Sequence, residues 1–174
     1  ADGTYAGANH SGQSYLVFGK SGGFASALDL SSLDGSNGFR MNGVDAGDLS
    51  GGSVSSAGDV NGDGFDDLII AADHGGANHN GESYVVLGKP NSFASSLDLS
   101  SLNGSNGFRI NGLDPSAEPG VAVSAAGDVN GDGFDDIIIG ASAADPGGFE
   151  QPGESYVIFG KASGYAAVFD PGTL

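Results

Sequence analysis

The decapeptide GDVNGDGFDD occupies residues 58–67 and returns unchanged as residues 127–136. In each copy oxygen-bearing side chains alternate with other residues: Asp59, Asn61, Asp63 and then Asp67, and Asp128, Asn130, Asp132 and then Asp136. A hard cation such as Ca²⁺ takes six to eight oxygen ligands at roughly 2.3–2.6 Å. A tight Asp-x-Asn-x-Asp-Gly turn wraps such ligands around one point, with glycine supplying backbone angles that branched residues resist. Four carboxylates per loop would repel one another without a counter-charge. A solvated acidic turn explains the Asp and Gly content, but not the same spacing twice over. The reading is therefore one Ca²⁺ in each loop, two per chain.

The loop does not continue as an EF-hand, which needs a bidentate Glu at its twelfth position and flanking helices. Counted from Asp59 and Asp128, that position is Ile70 or Ile139, inside the apolar runs Leu68-Ile69-Ile70 and Ile137-Ile138-Ile139. The loop must close at Asp67 or Asp136 and feed directly into a buried strand. A nonapeptide β-roll is excluded as well, because the motif recurs after 69 residues.

That spacing governs the chain. Residues 12–43 match residues 81–112 at 23 of 32 positions, and residues 54–72 match 123–141 at 16 of 19. A third copy of the GESYVIFGK element sits at 153–161, displaced by 72. The chain thus reads as about two and a half copies of one unit: a partial one at 1–43, a full one at 44–112 and a partial one at 113–174. The start at Ala1 reads as a mature product or an excised piece.

Thirty-three glycines among 174 residues, with abundant Ser, Asn and Asp, indicate a turn-dense, all-β chain. The apolar residues cluster in strand-length runs, which argues against disorder. No apolar stretch approaches the roughly 18 residues of a membrane span, and no signal-peptide pattern opens the chain. Twenty-two acidic against five basic residues give a net charge of −17, which opposes any nucleic-acid partner. Eight of the 22 acids lie in the two loops, so two Ca²⁺ would cancel four charges. The rest form a solubilising surface. With no cysteine there is neither disulfide nor thiol chemistry. Calcium loops of this surface type tend toward weak affinities, about 10⁻⁴–10⁻³ M, which an extracellular medium keeps filled.

Each unit reads as four short strands. The first is Gly52–Ala57 or Gly120–Ala126, and the second, Asp67–Ala72 or Asp136–Ala141, is apolar enough for burial on both faces. The third is Ser14–Phe18, Ser83–Leu87 or Ser155–Phe159, and the fourth is Phe39–Met41 or Phe108–Ile110. Between third and fourth, Leu97, Leu99 and Leu102 are placed over an open sheet edge, with a single helical turn near Ser31–Leu33 or Ser100–Leu102. A four-stranded unit has two faces to bury and needs a neighbour on each side.

The loop Asp-x-Asn-x-Asp-Gly-Phe-Asp-Asp, the DLIIAA and DIIIGA that follow it, SYVVLGK, and the preceding GSVSSAGD together carry a resemblance. The chain resembles the FG-GAP repeats of the integrin α-subunit propeller and its bacterial relatives, from about residue 7 to residue 161. The resemblance implies a β-propeller of four-stranded antiparallel blades with Ca²⁺ between first and second strands. It implies as ligands the side chains of Asp59, Asn61, Asp63 and Asp67 with the carbonyl of Phe65, and Asp128, Asn130, Asp132 and Asp136 with the carbonyl of Phe134. Asp66 and Asp135 stand at a position the family does not use as a direct ligand. The family's Phe-Gly before the first strand is blurred here to Ser-Gly-Gly and Glu-Pro-Gly, and the chain holds too few blades to close a ring.

Residues that do chemistry usually differ between repeats, since one active site needs one set. Here Lys20, Lys89 and Lys161 share one position, Arg40 and Arg109 another, and His10 and His79 a third. Ser14, Ser83 and Ser155 recur on strands without a nucleophile-elbow context, and Tyr15, Tyr84 and Tyr156 read as sheet residues. His74 is unique and follows Asp73, a weak signal for acid–base work. The segments breaking the repeat, Asp114–Gly120 and Ser142–Pro152 with Phe149 and Glu150, are loops where a protein or glycan ligand would be read, or neutral variations in length. These features favour a calcium-binding, non-catalytic structural or adhesion module of an extracellular or cell-surface protein. The alternative is an accessory propeller segment of a secreted glycan- or lipid-acting enzyme. The open ends lead us to expect self-association or the remainder of a longer propeller.

Overall fold

A computed structural model describes residues 10–76, 79–112, 121–142 and 153–171. The described residues form eleven strands: β1 (Gln13–Val17), β2 (Gly38–Asn42), β3 (Ser50–Gly58), β4 (Asp67–Ala72), β5 (Glu82–Val86), β6 (Ser96–Asp98), β7 (Gly107–Asn111), β8 (Val121–Gly127), β9 (Asp136–Ala141), β10 (Glu154–Ile158) and β11 (Val168–Phe169). The only helical pieces among them are single 3-10 turns at Leu30–Ser32 and Leu99–Ser101, where the repeat predicts one.

Three sheets result, with strand orders β1-β2-β6, β11-β7-β5-β4-β3 and β10-β9-β8. The central sheet contains the complete unit. Its strands β3, β4, β5 and β7 are antiparallel throughout, with Leu68 opposite Val86 and Val85 opposite Phe108. The third sheet repeats this pairing for the first three strands, and the first sheet repeats it for the last two. All-β blades stacked side by side are thus the observed architecture.

The apolar run in β4 is buried on both faces, and alternation sorts its side chains. Ile69 and Ala71 join Val85, Phe108, Ile137 and Ile139 in one core between the second and third sheets. Ile70 and Ala72 join Phe39, Tyr84, Val86 and Leu99 in a second core between the first and second. Of the isoleucines on β9, Ile137 and Ile139 are buried and Ile138 is exposed, because the described residues place no further sheet beyond it.

One feature departs from four-stranded units. The segments after β5 and β10 leave their own blades, and each adds a short parallel strand to the preceding one: β6 pairs with β2, and β11 with β7. This is how the leucine-rich segment covers an open edge, with Leu99 and Leu102 buried and Leu97 packed against them. An aromatic side chain leads each crossing. Phe93 stacks on Phe39 at 4.2 Å between centroids, and Tyr165 on Phe108 at 4.4 Å. The repeat-locked lysines sit over these rings, Lys89 at 4.6 Å from Phe93 and Lys161 at 5.1 Å from Tyr165, so each adds a cation–π contact.

Candidate metal centre

Each acidic loop joins first strand to second, β3 to β4 and β8 to β9. The two are closed by nearly the same set of bonds. In the first, the Asp63 N–H donates to Asp59 Oδ1 at 3.0 Å and Asn61 Oδ1 at 2.9 Å, and the Gly64 N–H donates to Asp59 Oδ2 at 2.8 Å. Asp63 in turn accepts from the Phe65 N–H at 2.9 Å and faces the Asn61 amide at 3.0 Å. In the second, Asp132 N–H reaches Asp128 and Asn130, Gly133 N–H reaches Asp128, Phe134 N–H reaches Asp132, and Asn130 faces Asp132. Two side-chain oxygens sharing one N–H must lie close together, so Asp59 with Asn61, and Asp128 with Asn130, converge on the inside of each turn. They form an all-oxygen donor set of the kind a hard cation takes, and the residues present fit Ca²⁺.

Asp67 and Asp136 are placed differently. Both are fully buried. Asp67 accepts from the Val60 N–H at 3.0 Å and from the Gly88 N–H at 2.7 Å, and Asp136 accepts from Val129 and Gly160 at 2.9 Å each. They tie the loop to the end of the third strand. Burial pushes the Asp67 carboxyl up to about 6, although its two N–H bonds pull the other way, and the nearby Asp63 and Asp59 charges add to the rise. Phe65 and Phe134, whose carbonyls complete the expected set, are fixed by their N–H bonds to Asp63 and Asp132. No three acidic or histidine side chains among the described residues are drawn tightly enough together to enclose an ion in this structure.

Asp135 is a functional residue the sequence did not reveal. Its Oδ2 accepts from the Asp59 N–H at 2.9 Å and its own N–H donates to the Asp59 carbonyl at 3.1 Å, clamping the first loop onto the third sheet. Next to it the Val60 carbonyl accepts from the Lys161 N–H at 2.9 Å and the Tyr165 hydroxyl at 2.8 Å. The doubled Asp at the end of each loop and the Lys-x₃-aromatic spacing at 20/24, 89/93 and 161/165 were the available signals.

Other singled-out residues have structural surroundings. The Tyr84 hydroxyl donates to Glu82 at 2.5 Å, Tyr15 donates to Gln13 at 2.8 Å, and Tyr156 bonds to Glu154, so these tyrosines serve the sheet. Arg109 forms an ion pair with Glu82 at 3.3 Å. His79 hydrogen-bonds through Nδ1 to the His74 carbonyl, and His10 and His79 both occupy left-handed turn positions. His74 Nδ1 and Asp73 Oδ1 are buried without a hydrogen-bond partner. Asp114–Gly120, and Phe149 and Glu150 with most of their loop, lie outside the described residues.

Comparison with known families matches the FG-GAP repeat twice, at residues 50–86 and 120–158. The chain carries two FG-GAP repeats. The first match runs from the start of β3 to the end of β5 and the second ends with β10, so each covers first strand, acidic loop, second strand and third strand. FG-GAP repeats are structural, adhesion-type modules that build integrin-like propellers and occur mainly in extracellular proteins, and the sheets here are partial blades of that kind. Among the described residues no helix is long and apolar enough to cross a membrane.

Proposed function

We propose that the chain is a calcium-binding structural or adhesion module of an extracellular protein, non-catalytic in itself, with one Ca²⁺ in each FG-GAP loop. The observation that carries the reading is the duplicated loop geometry: in both copies the same Asp, Asn and Asp oxygens turn inward onto the same N–H groups. Asp59, Asn61 and Asp63, or Asp128, Asn130 and Asp132, would hold the ion, with Asp67 or Asp136 and the Phe65 or Phe134 carbonyl behind them. Bound Ca²⁺ supplies the positive charge that holds these carboxylates together. The first loop bridges neighbouring blades through Asp59 and Val60, so its order and the packing of the second sheet on the third are one property. Polar side chains that follow the repeat, rather than converging on one cleft, support a role without catalysis. Weak Ca²⁺ sites of this class suit an extracellular medium.

Calorimetric titration of a chelator-stripped sample tests the reading, and two sites per chain are expected. Binding to the native state adds RT ln(1 + [L]/Kd), about 2.7 kcal/mol at a hundredfold excess over Kd, so the melting temperature should rise with calcium. Stoichiometry near zero with an unchanged melting temperature overturns it.

A further inference from the structure

The chain's five basic side chains are not equally occupied. Lys20, Lys89 and Lys161 lie over Phe24, Phe93 and Tyr165, and Arg109 is ion-paired with Glu82 at 3.3 Å. Arg40, at the same repeat position as Arg109, has no ion-pair partner among the described residues, and its Nε is buried without a hydrogen bond. One replacement in the repeat is responsible: Gln13 stands where the later units have Glu82 and Glu154. Gln13 turns its amide to Asn42 and its carbonyl to the Tyr15 hydroxyl, and brings no charge to Arg40.

Arg40 borders a hollow of about 270 Å³, lined also by Tyr15, Leu30, Ser31, Leu33, Ser95 and Ser96. Strand pairing builds it. Arg40 on β2 is opposite Tyr15 on β1 and Ser96 on β6, and directly paired residues present their side chains to one face of a sheet. The positions beside Arg109 that match the exposed Ser95 and Ser96 are Ala167 and Val168, so the free guanidinium and the hydroxyls occur together at Arg40. Two acids stand on the same elements and both are engaged, Asp29 with Ser31 and Asp98 with the Asn42 amide. A neighbouring blade does not close this position. Arg109 keeps 36% of its side chain exposed although the first sheet packs over its face, so this point of the repeat lies at the rim of a filled junction.

We propose that the hollow binds a single carboxylate-bearing sugar ring, a hexuronate. The planar guanidinium of Arg40 matches a carboxylate in a two-point fork. Ser95 and Ser96 offer hydroxyl partners to the sugar hydroxyls, and Leu30, Leu33 and the Tyr15 ring wall the C–H face. At about 270 Å³ the hollow falls below the roughly 300–1,000 Å³ of pockets for drug-sized ligands, which limits the guest to one ring. The hydroxyl lining favours a sugar acid over the Asp or Glu side chain of a partner protein. This adds a ligand class to the adhesion reading and does not rest on calcium, since no acidic-loop residue lines the hollow.

The chain has two arginines, so its side-chain Nε–H spectrum holds two signals, Arg40 and Arg109. Titration with sodium D-glucuronate at constant ionic strength should shift the Arg40 signal, saturating at about millimolar concentration, and leave Arg109 in place. D-Glucose lacks the carboxylate and acetate lacks the ring, and each should bind at least about tenfold more weakly. Gln13→Glu copies the Arg109–Glu82 pair, so the variant should fold, supply the carboxylate from within and lose the response to glucuronate. An Arg40 signal that glucuronate does not move overturns the proposal. So does an equal response at Arg109 or in Gln13→Glu, or acetate binding as tightly as glucuronate. N-acetylglutamate amide binding more tightly than glucuronate would also overturn it, by assigning the hollow to a protein side chain.

Discussion

Asp63 and Asp132 each accept one loop N–H and face a neighbouring Asn, without reaching into the body of a blade. Asp63→Ala and Asp132→Ala should therefore each delete one calcium site in a calorimetric titration and leave the other within about twofold of its affinity, since separate sites add independently. Retention of two sites in either variant would remove these residues from the ligand set. Glu82 offers a test by pH. Its carboxyl is raised above the ordinary 4.5, chiefly by burial, with the Asp48 and Asp45 charges adding and the Tyr84 hydroxyl and Arg109 opposing. The folded state then binds this proton more tightly than the unfolded chain, so stability from this group is full below about pH 4.5 and is lost as pH rises through the folded value. Glu82→Gln should flatten that decline in thermal melts from about pH 4.5 upward. Asp67 slopes in the same direction but is present in both proteins, so the difference isolates Glu82. The substitution copies what the first unit already has, where Tyr15 donates to Gln13.

The short parallel strands explain why equivalent leucines should have unequal weight. Leu99 is 2% exposed beneath the crossing between blades, whereas Leu30, at the same repeat position, is 43% exposed. Leu99→Ala should cost about 2–5 kcal/mol through lost burial and a cavity, and Leu30→Ala within about 0.5 kcal/mol, like other exposed sites. Denaturant midpoints would decide, and equal losses would refute the crossing as a stabilising element. These strands mark the limit of what local sequence conveys. The ladders β3-β4-β5 and β8-β9-β10 were legible because Asp-x-Asn-x-Asp-Gly fixes a turn and an unbroken Leu/Ile run demands cover on both faces. Leucines over an edge were legible too. That Ser96–Asp98 pairs in parallel with Arg40, Met41 and Asn42 was not, because a strand of three residues has no period and its partner lies more than fifty residues away. The burial of Asp67 was hidden for a similar reason: its second partner, the Gly88 N–H, is fixed by the fold rather than by loop spacing. In the first loop Asp59 and Asn61 share the Asp63 N–H, a turn that their spacing implies.

At the scale of the whole molecule, the two end faces carry halves of one pattern. Ile138, Val157 and Phe159 are exposed on the third sheet at the positions where Ile69, Val85 and Leu87 are buried on the second. At the other end Tyr15 is exposed where Tyr84 is buried against the first sheet. The internal junctions join just these two kinds of face, so one copy can follow another head to tail, a heterologous contact that can close into a ring or run on. A charge of −17 opposes this approach. Raising the ionic strength to about 0.1 M shortens the screening length to about 10 Å and weakens that repulsion while leaving apolar burial intact. Association in millimolar calcium should therefore strengthen with added salt, the reverse of an ion-pair interface. Sedimentation velocity across the micromolar range should show a weight-average mass that climbs with concentration, and Val157→Ser combined with Phe159→Ser should return it to that of a single chain. Both side chains are exposed, so the double variant should keep its fold and its calcium stoichiometry. A compact monomer at every concentration and salt would mean that the end faces are covered within the chain itself.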